Sequence, residues 1–147
     1  MNSQSFAQRA CNTFIDCAPY YQSVFLDYEY LIFGDSFTIL PYYTISAKAG
    51  NYLHLTGVNS NVPPFEFYKK CLNKTLTAAD FSFSDKGIIR SKIIALPLMP
   101  RIFGEKLTAE ENFTHGRVNC SIATADNQIT VGFADRINAR PKTLLPR

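Results

Sequence analysis

A histidine beside a hydroxyl is the first place to look for chemistry in this chain, because imidazole is the side chain that ordinarily exchanges a proton near neutral pH. The segment Asn51-Tyr52-Leu53-His54-Leu55-Thr56-Gly57-Val58 holds one of only two histidines. Its apolar and polar residues alternate, which predicts a strand whose successive side chains point to opposite faces. On that reading Leu53, Leu55 and Val58 face a core, while Tyr52, His54 and Thr56 line the other side. His54 and Thr56 then place an acid–base group next to a hydrogen-bonding hydroxyl. The same register also fits a histidine satisfied by a backbone carbonyl on a sheet surface.

The elements around it must position it. Phe6, Ala10 and Phe14 recur at a four-residue step, predicting an amphipathic helix over residues 3–17 that Pro19 ends. Residues 28–33 and 37–43 are aromatic and β-branched around Gly34-Asp35-Ser36, the pattern of a hairpin, with Pro41 marking an edge or bulge. Together with the His54 segment they predict three strands in a row. Pro63-Pro64 pre-sets a helix with Phe65, Tyr68 and Leu72 on one face. A further helix runs from Asp85 to about Leu96, with Ile89, Ile93 and Leu96 on its apolar side and Pro97 and Pro100 as its stop. Residues 104–116 read as a loop or short helical turn. Residues 118–124 and 128–133 alternate about Asp126-Asn127 as a second hairpin, with Ile129, Val131 and Phe133 on one side. The pattern predicts an α+β fold, one domain over residues 1–147, with helices packed on one face of a twisted, mostly antiparallel sheet.

Composition bounds the function. The 147 residues are 46% hydrophobic, enough for one packed core, and the net charge of +3 is compatible with a polyanionic partner without demanding one. The positive excess is uneven: Arg136, Arg140, Lys142 and Arg147 close the chain with no acid among them. No window approaches the roughly 18 apolar residues of a membrane span, and the polar start Asn2-Ser3-Gln4 differs from a signal peptide, so a cytoplasmic protein with no membrane partner is expected. Cys11, Cys17, Cys71 and Cys120 lack metal-site spacing and are expected to pack as reduced apolar residues. The Asn-x-Ser/Thr triplets at Asn73, Asn112 and Asn119 are expected to be chance.

Residues 52–58, the run Pro64 to Leu72, Leu76 to Phe81, Arg90-Ser91-Lys92, Ile122 to Asp126, Thr130 to Phe133 and Arg140 to Leu145 together resemble a family of phage and prophage proteins. That family is named for its relation to barnase, EndoU, colicin E5/D and RelE-type nucleases, and the His-Leu-Thr-Gly core is most similar to its fourth subgroup. The resemblance spans about residues 28–146. It implies a compact sheet with helices over one face, a free face for nucleic acid, and an RNA-cleaving activity. Implied partners are RNA, and a cognate immunity or antitoxin protein or a host protein, in the cytoplasm of a bacterial host cell.

A metal-independent ribonuclease drives the ribose 2′-hydroxyl onto its own phosphodiester, so it needs a base, an acid for the leaving oxygen, and cations or donors for the extra phosphate charge. Neither metal nor cofactor is required. His54, Thr56, Lys92 and Thr130 are the candidate catalytic residues; Lys48, Arg90, Arg140, Lys142 and Thr143 are the candidate substrate-binding ones. Arg90 and Lys92 read more readily as a solvated helix face, and Arg140 to Thr143 equally as an exposed basic tail, though Pro141 stiffens that segment and Leu144-Leu145 dock it. His115 ranks below His54 because it lies outside the resembling segments. Tyr42 and Tyr43 can stack on bases or simply pack. No paired-carboxylate pattern supports a glycosidase or a two-metal nuclease. Two other functions fit the residues: an ADP-ribosyltransferase-like enzyme, disfavoured because no glutamate follows Glu111, and a non-catalytic nuclease-like scaffold that binds and inhibits a host or competitor protein.

Overall fold

The computed structural model describes residues 5–103, 107–115, 118–126, 128–135 and 137–146. Helix α1 (Phe6–Tyr21) starts where Ser5 Oγ accepts the amide of Gln8 at 3.1 Å, an ordinary N-cap. The predicted stop at Pro19 does not hold: the proline lies inside the helix, which continues as a π-helical turn over Gln22–Leu26. Phe14, Ala18, Tyr21 and Phe25 are all buried, so the apolar stripe runs straight through Pro19. Their burial outweighs the ~3 kcal/mol that a mid-helix proline costs.

Strands β1 (Tyr30–Phe33) and β2 (Tyr42–Ile45) form the expected hairpin, Tyr30 opposite Ile45 and Phe33 opposite Tyr42. Its second strand begins later than predicted because the carboxylate of Glu111 captures the connection. The amides of Thr38, Ile39 and Leu40 donate to it at 2.7, 3.1 and 3.1 Å, and the Tyr43 hydroxyl donates as well.

The His54 segment is not a strand. After a 3-10 turn over Ala49–Asn51 it forms helix α2 (Tyr52–Thr56), so the three N-terminal strands in a row do not exist. Tyr52, Leu55 and Thr56 are buried, the i, i+3, i+4 spacing of one helix face, and Gly57 at φ +75° ends the helix in the left-handed conformation that favours glycine. Tyr52 donates its hydroxyl to the carbonyl of Phe14 at 2.7 Å, fastening α2 to α1.

The two-residue strands β3 (Asn59–Ser60) and β4 (Phe81–Ser82) pair across helix α3 (Pro64–Leu72). That helix buries Phe67, Tyr68 and Cys71 and leaves Phe65 at 64% exposure, a face turned away from the predicted one. Helix α4 (Lys86–Ala95) is capped by Asp85, and its stop at Pro97 ends only the α-helix, since a 3-10 helix carries on through Leu96–Arg101.

Strands β5 (Thr108–His115), β6 (Val118–Ala125), β7 (Ile129–Ala134) and β8 (Arg140–Pro146) form one antiparallel sheet in that order. Residues 108–115 are therefore a strand and not a loop. Half-buried Ala109, Glu111 and Phe113 alternate with exposed neighbours in a polar edge strand whose periodicity is not carried by apolar residues. The 140–145 segment is likewise the opposite edge strand, not a docked tail; Arg136 and Arg147 lie outside the described residues. Ile122, Ile129, Val131, Phe133 and Leu144 join Phe14, Phe25, Leu55, Ile89 and Leu96 in one core, which places helices on one face of the sheet. The fold is α+β. All four cysteines are buried and form no disulfide, and among the described residues no helix is long and apolar enough to cross a membrane.

Candidate active site between a short helix and the edge strand

Helix α2 packs against β8, and their seam opens into a recess of about 250 Å³ lined by Asn51, His54, Ala134, Arg140, Pro141 and Lys142. The recess is smaller than the ~300–1,000 Å³ of sites that enclose a whole drug-sized ligand. It suits one backbone unit of a polymer whose remainder lies outside.

Local structure presents each group. His54 is exposed because α2 turns Tyr52, Leu55 and Thr56 to the core. Ala134 and Arg140 face each other across β7 and β8, which brings the start of the edge strand to the same opening. Arg140 bonds Asp135 through Nη2 at 3.2 Å. Lys142 donates to the carbonyl of Asn119 at 2.8 Å, which orients its ammonium. Asn51, not among the expected site residues, accepts the amide of Lys48 on Oδ1 at 2.8 Å and lines the recess. Its signal was the Gly-Asn pair before the histidine, a turn signature that also opens a helix.

Beneath the seam lies Lys92, and it is not a solvated helix residue. Its side chain is 5% exposed, with Nζ donating to Leu144 O at 2.6 Å and Thr143 Oγ1 at 3.2 Å. Burial pushes its pKa down from 10.5 to about 8. A Cβ on Gly57 would stand 3.3 Å from Ile88 and Ile89 and 3.4 Å from Lys92 Cγ, so the end of α2 rests directly on this part of α4. Thr143 is buried as well, and its methyl lies 3.0 Å from where a Cβ on Gly132 would be; Cys120 Sγ would be at 2.4 Å. Burial pushes the Cys120 thiol up, against the opposing pull of the Lys142 ammonium.

The remaining predicted residues stand elsewhere. Thr56 is not paired with His54: it is fully buried, donates to Leu53 O at 2.6 Å and accepts the amide of Val58 at 3.3 Å, closing the end of α2. Helical spacing turns it inward. Thr130 opens onto a separate recess on the sheet's other face with Thr108, Glu110 and Ala123. Arg90 stacks on Phe6, with its guanidinium 5.5 Å from the ring centre. Lys48 is exposed just before the 3-10 turn. His115 ends β5, at the far edge of the sheet from β8. The structure thus brings together His54, Arg140 and Lys142, with Lys92 and Thr143 behind them. Among the described residues no three His, Cys, Asp or Glu side chains cluster as a metal site would require.

Such a recess can move one proton at an imidazole and hold negative charge on two cations. A family model described as phage-Barnase-EndoU-ColicinE5/D-RelE like nuclease4 matches residues 14–143 of the chain. Neither curated proteins nor solved structures give a match.

Proposed function

The chain belongs to this phage nuclease-like family, and on that premise we propose that it is a metal-independent endoribonuclease acting on tRNA or mRNA at the α2–β8 recess. The observation that supports this reading is the convergence of His54, Arg140 and Lys142 on one opening. His54 takes the proton of a ribose 2′-hydroxyl, the freed oxygen bonds to phosphorus, and the bond from phosphorus to the 5′-oxygen breaks. That oxygen takes a proton from solvent while the His54 imidazolium gives its own back to solvent, leaving a 2′,3′-cyclic phosphate and a 5′-hydroxyl. Arg140 and Lys142 offset the charge that builds on the phosphoryl oxygens, where preorganised cations act most strongly. Thr143 and Lys92 hold β8 in register behind them. In a bacterial cell this activity would make the protein a toxin or host-takeover factor with a cognate immunity protein.

One observation favours a second reading. Among the described residues lining the recess His54 is the one imidazole and there is no carboxyl, while Arg140 and Lys142 are engaged with Asp135 and Asn119. A scaffold that binds and inhibits a host or competitor protein needs no second group. The test is sequencing of RNA ends after incubation of total bacterial RNA with the protein in a chelator. Cyclic-phosphate ends from wild type, and a ~10²–10⁴-fold loss in a folded His54→Ala variant, are expected. Undiminished cleavage by that variant removes His54 from the mechanism; an inert wild type leaves the scaffold.

A further inference from the structure

A second concentration of positive charge lies on the other flank of α4. Around the ring of Phe6 stand Arg9 Cζ at 5.8 Å, Lys86 Nζ at 5.9 Å and Arg90 Cζ at 5.5 Å. Phe6 is edge-on to Phe83, at 5.3 Å between ring centres, and so is fastened to the aromatic core. None of the three cations makes an ion pair among the described residues. The arrangement is unfavourable for the fold by itself. Arg9 and Lys86 lie in the first turns of α1 and α4, where the helix dipole disfavours positive charge; the Asp85 cap answers it at α4, whereas α1 has no acid in its first turn. Three cations sharing one ring also repel one another. Cation–π attraction offsets only part of this, about 0.5–1 kcal/mol per exposed contact. What would relieve the rest is an anion.

We propose that Arg9, Lys86 and Arg90 form a contact for the phosphate backbone of single-stranded RNA that extends from the α2–β8 recess. This rests on the nuclease reading of that recess. Position supports it: α4 turns Ile88, Ile89 and Lys92 toward the end of α2 and Lys86 and Arg90 toward Phe6. A strand leaving the recess past the end of α2 therefore meets α4, a helix ~10 Å across, before the cations on its other flank. A flexible single strand can make that crossing, and the ring with its cations offers a base a surface to stack on.

The experiment is a salt titration of binding to a 2′-O-methyl single strand of about 16 nucleotides, which fills a typical single-strand site and cannot be cleaved. It compares wild type with an Arg9→Gln, Lys86→Gln, Arg90→Gln triple variant, and a charge-keeping Arg9→Lys, Arg90→Lys variant controls for fold and packing. Loss of three phosphate contacts should lower the slope of log affinity against log salt by about 2, at roughly 0.7 per cation on a single strand, with the charge-keeping variant restored to wild type. Cleavage of a dinucleotide, which reaches only the recess, should be unchanged in all three. A parallel slope in the triple variant overturns the proposal and leaves the patch to an acidic protein. A wild type that binds this strand through the patch yet cuts no RNA sinks the nuclease reading alone.

Discussion

Replacing Lys92 by methionine turns the pH dependence of stability into a measurement of how β8 is held. The ammonium meets only the Leu144 carbonyl and the Thr143 hydroxyl, and no carboxylate pairs with it among the described residues. Burial lowers its pKa from 10.5 to about 8. Between those values the unfolded chain binds the proton and the native chain does not, so stability rises with pH through that window. The cost of the buried charge is therefore full below pH 8, fades above it, and is gone beyond 10.5. At pH 7 it amounts to about 3 kcal/mol, and about 2 kcal/mol of it is relieved by pH 9.5. Cys17 and Cys71 work in the opposite sense. Burial, with smaller contributions from nearby acidic groups, raises both to about 12, so the unfolded thiols ionise first and stability falls as pH rises past 9. Those thiols are common to both proteins and cancel in the difference.

Methionine fills a similar volume without the charge, but it leaves the Leu144 carbonyl and Thr143 hydroxyl unpaired, a loss of about 1–3 kcal/mol that does not vary with pH. The two effects nearly balance at pH 7, where wild type and Lys92→Met should differ by no more than ~2 kcal/mol. By pH 9.5 the difference should have moved about 2 kcal/mol in favour of wild type. Urea unfolding of both proteins at a series of pH values reads it directly. A difference that stays flat with pH would mean that the ammonium is solvated, and that β8 is not fastened as described.

The Arg140→Ala, Lys142→Ala double variant should lower the salt slope of single-stranded RNA binding by about 1.4. Its stability should move by less than ~1 kcal/mol, because the Arg140–Asp135 pair is exposed; parallel titrations would take both cations off the backbone. Gly132→Ala drives a methyl to 2.4 Å from Cys120 Sγ and 3.0 Å from Thr143. Overpacking of this kind costs about 1–3 kcal/mol, and Cys120→Ala in the same chain should recover most of it in urea titrations. A Gly132→Ala protein as stable as wild type would show that the face beside Thr143 is more open than these contacts allow.

The parts of the fold legible in the sequence were those with long periodic patterns. The strand around Ile129 and Val131 and the helix ahead of Pro97 stand where periods of two and 3.6 place them, although that strand is buried on both faces. Misreadings share a cause: a local signal outvoted by a partner far along the chain. Pro19 stops a helix unless the residues beyond it are needed in the core, and Tyr21 and Phe25 are. Leu-His-Leu-Thr alternates like a strand because five residues are too few to reveal a helical period. The Thr-Gly pair that follows was the better signal, since glycine past the last turn is how helices end. Residues 108–115 carry no apolar alternation, and nothing in them announces that Glu111 will gather three amides from residues 38–40.

The residues of the candidate site were legible by type and not by assembly. His54, Arg140 and Lys142 stand out as chemistry-bearing, but the seam that unites them requires α2 to be a helix and 140–146 to be a strand. The edge position carries an ambiguity of its own, for charged residues and proline are also how proteins keep an edge strand from pairing with another chain. Edge protection accounts for Pro141 and for an exposed Lys142. It does not account for Lys92, because a solvated edge needs no ammonium beneath it, and the burial cost of about 3 kcal/mol at pH 7 does no more than offset the pairing of the Leu144 carbonyl and Thr143 hydroxyl. Nor does it call for Arg140 to open onto the one histidine in the recess. A buried positive charge behind two exposed ones is costly for an edge strand that must only resist pairing, and it is useful for one that must hold a phosphate.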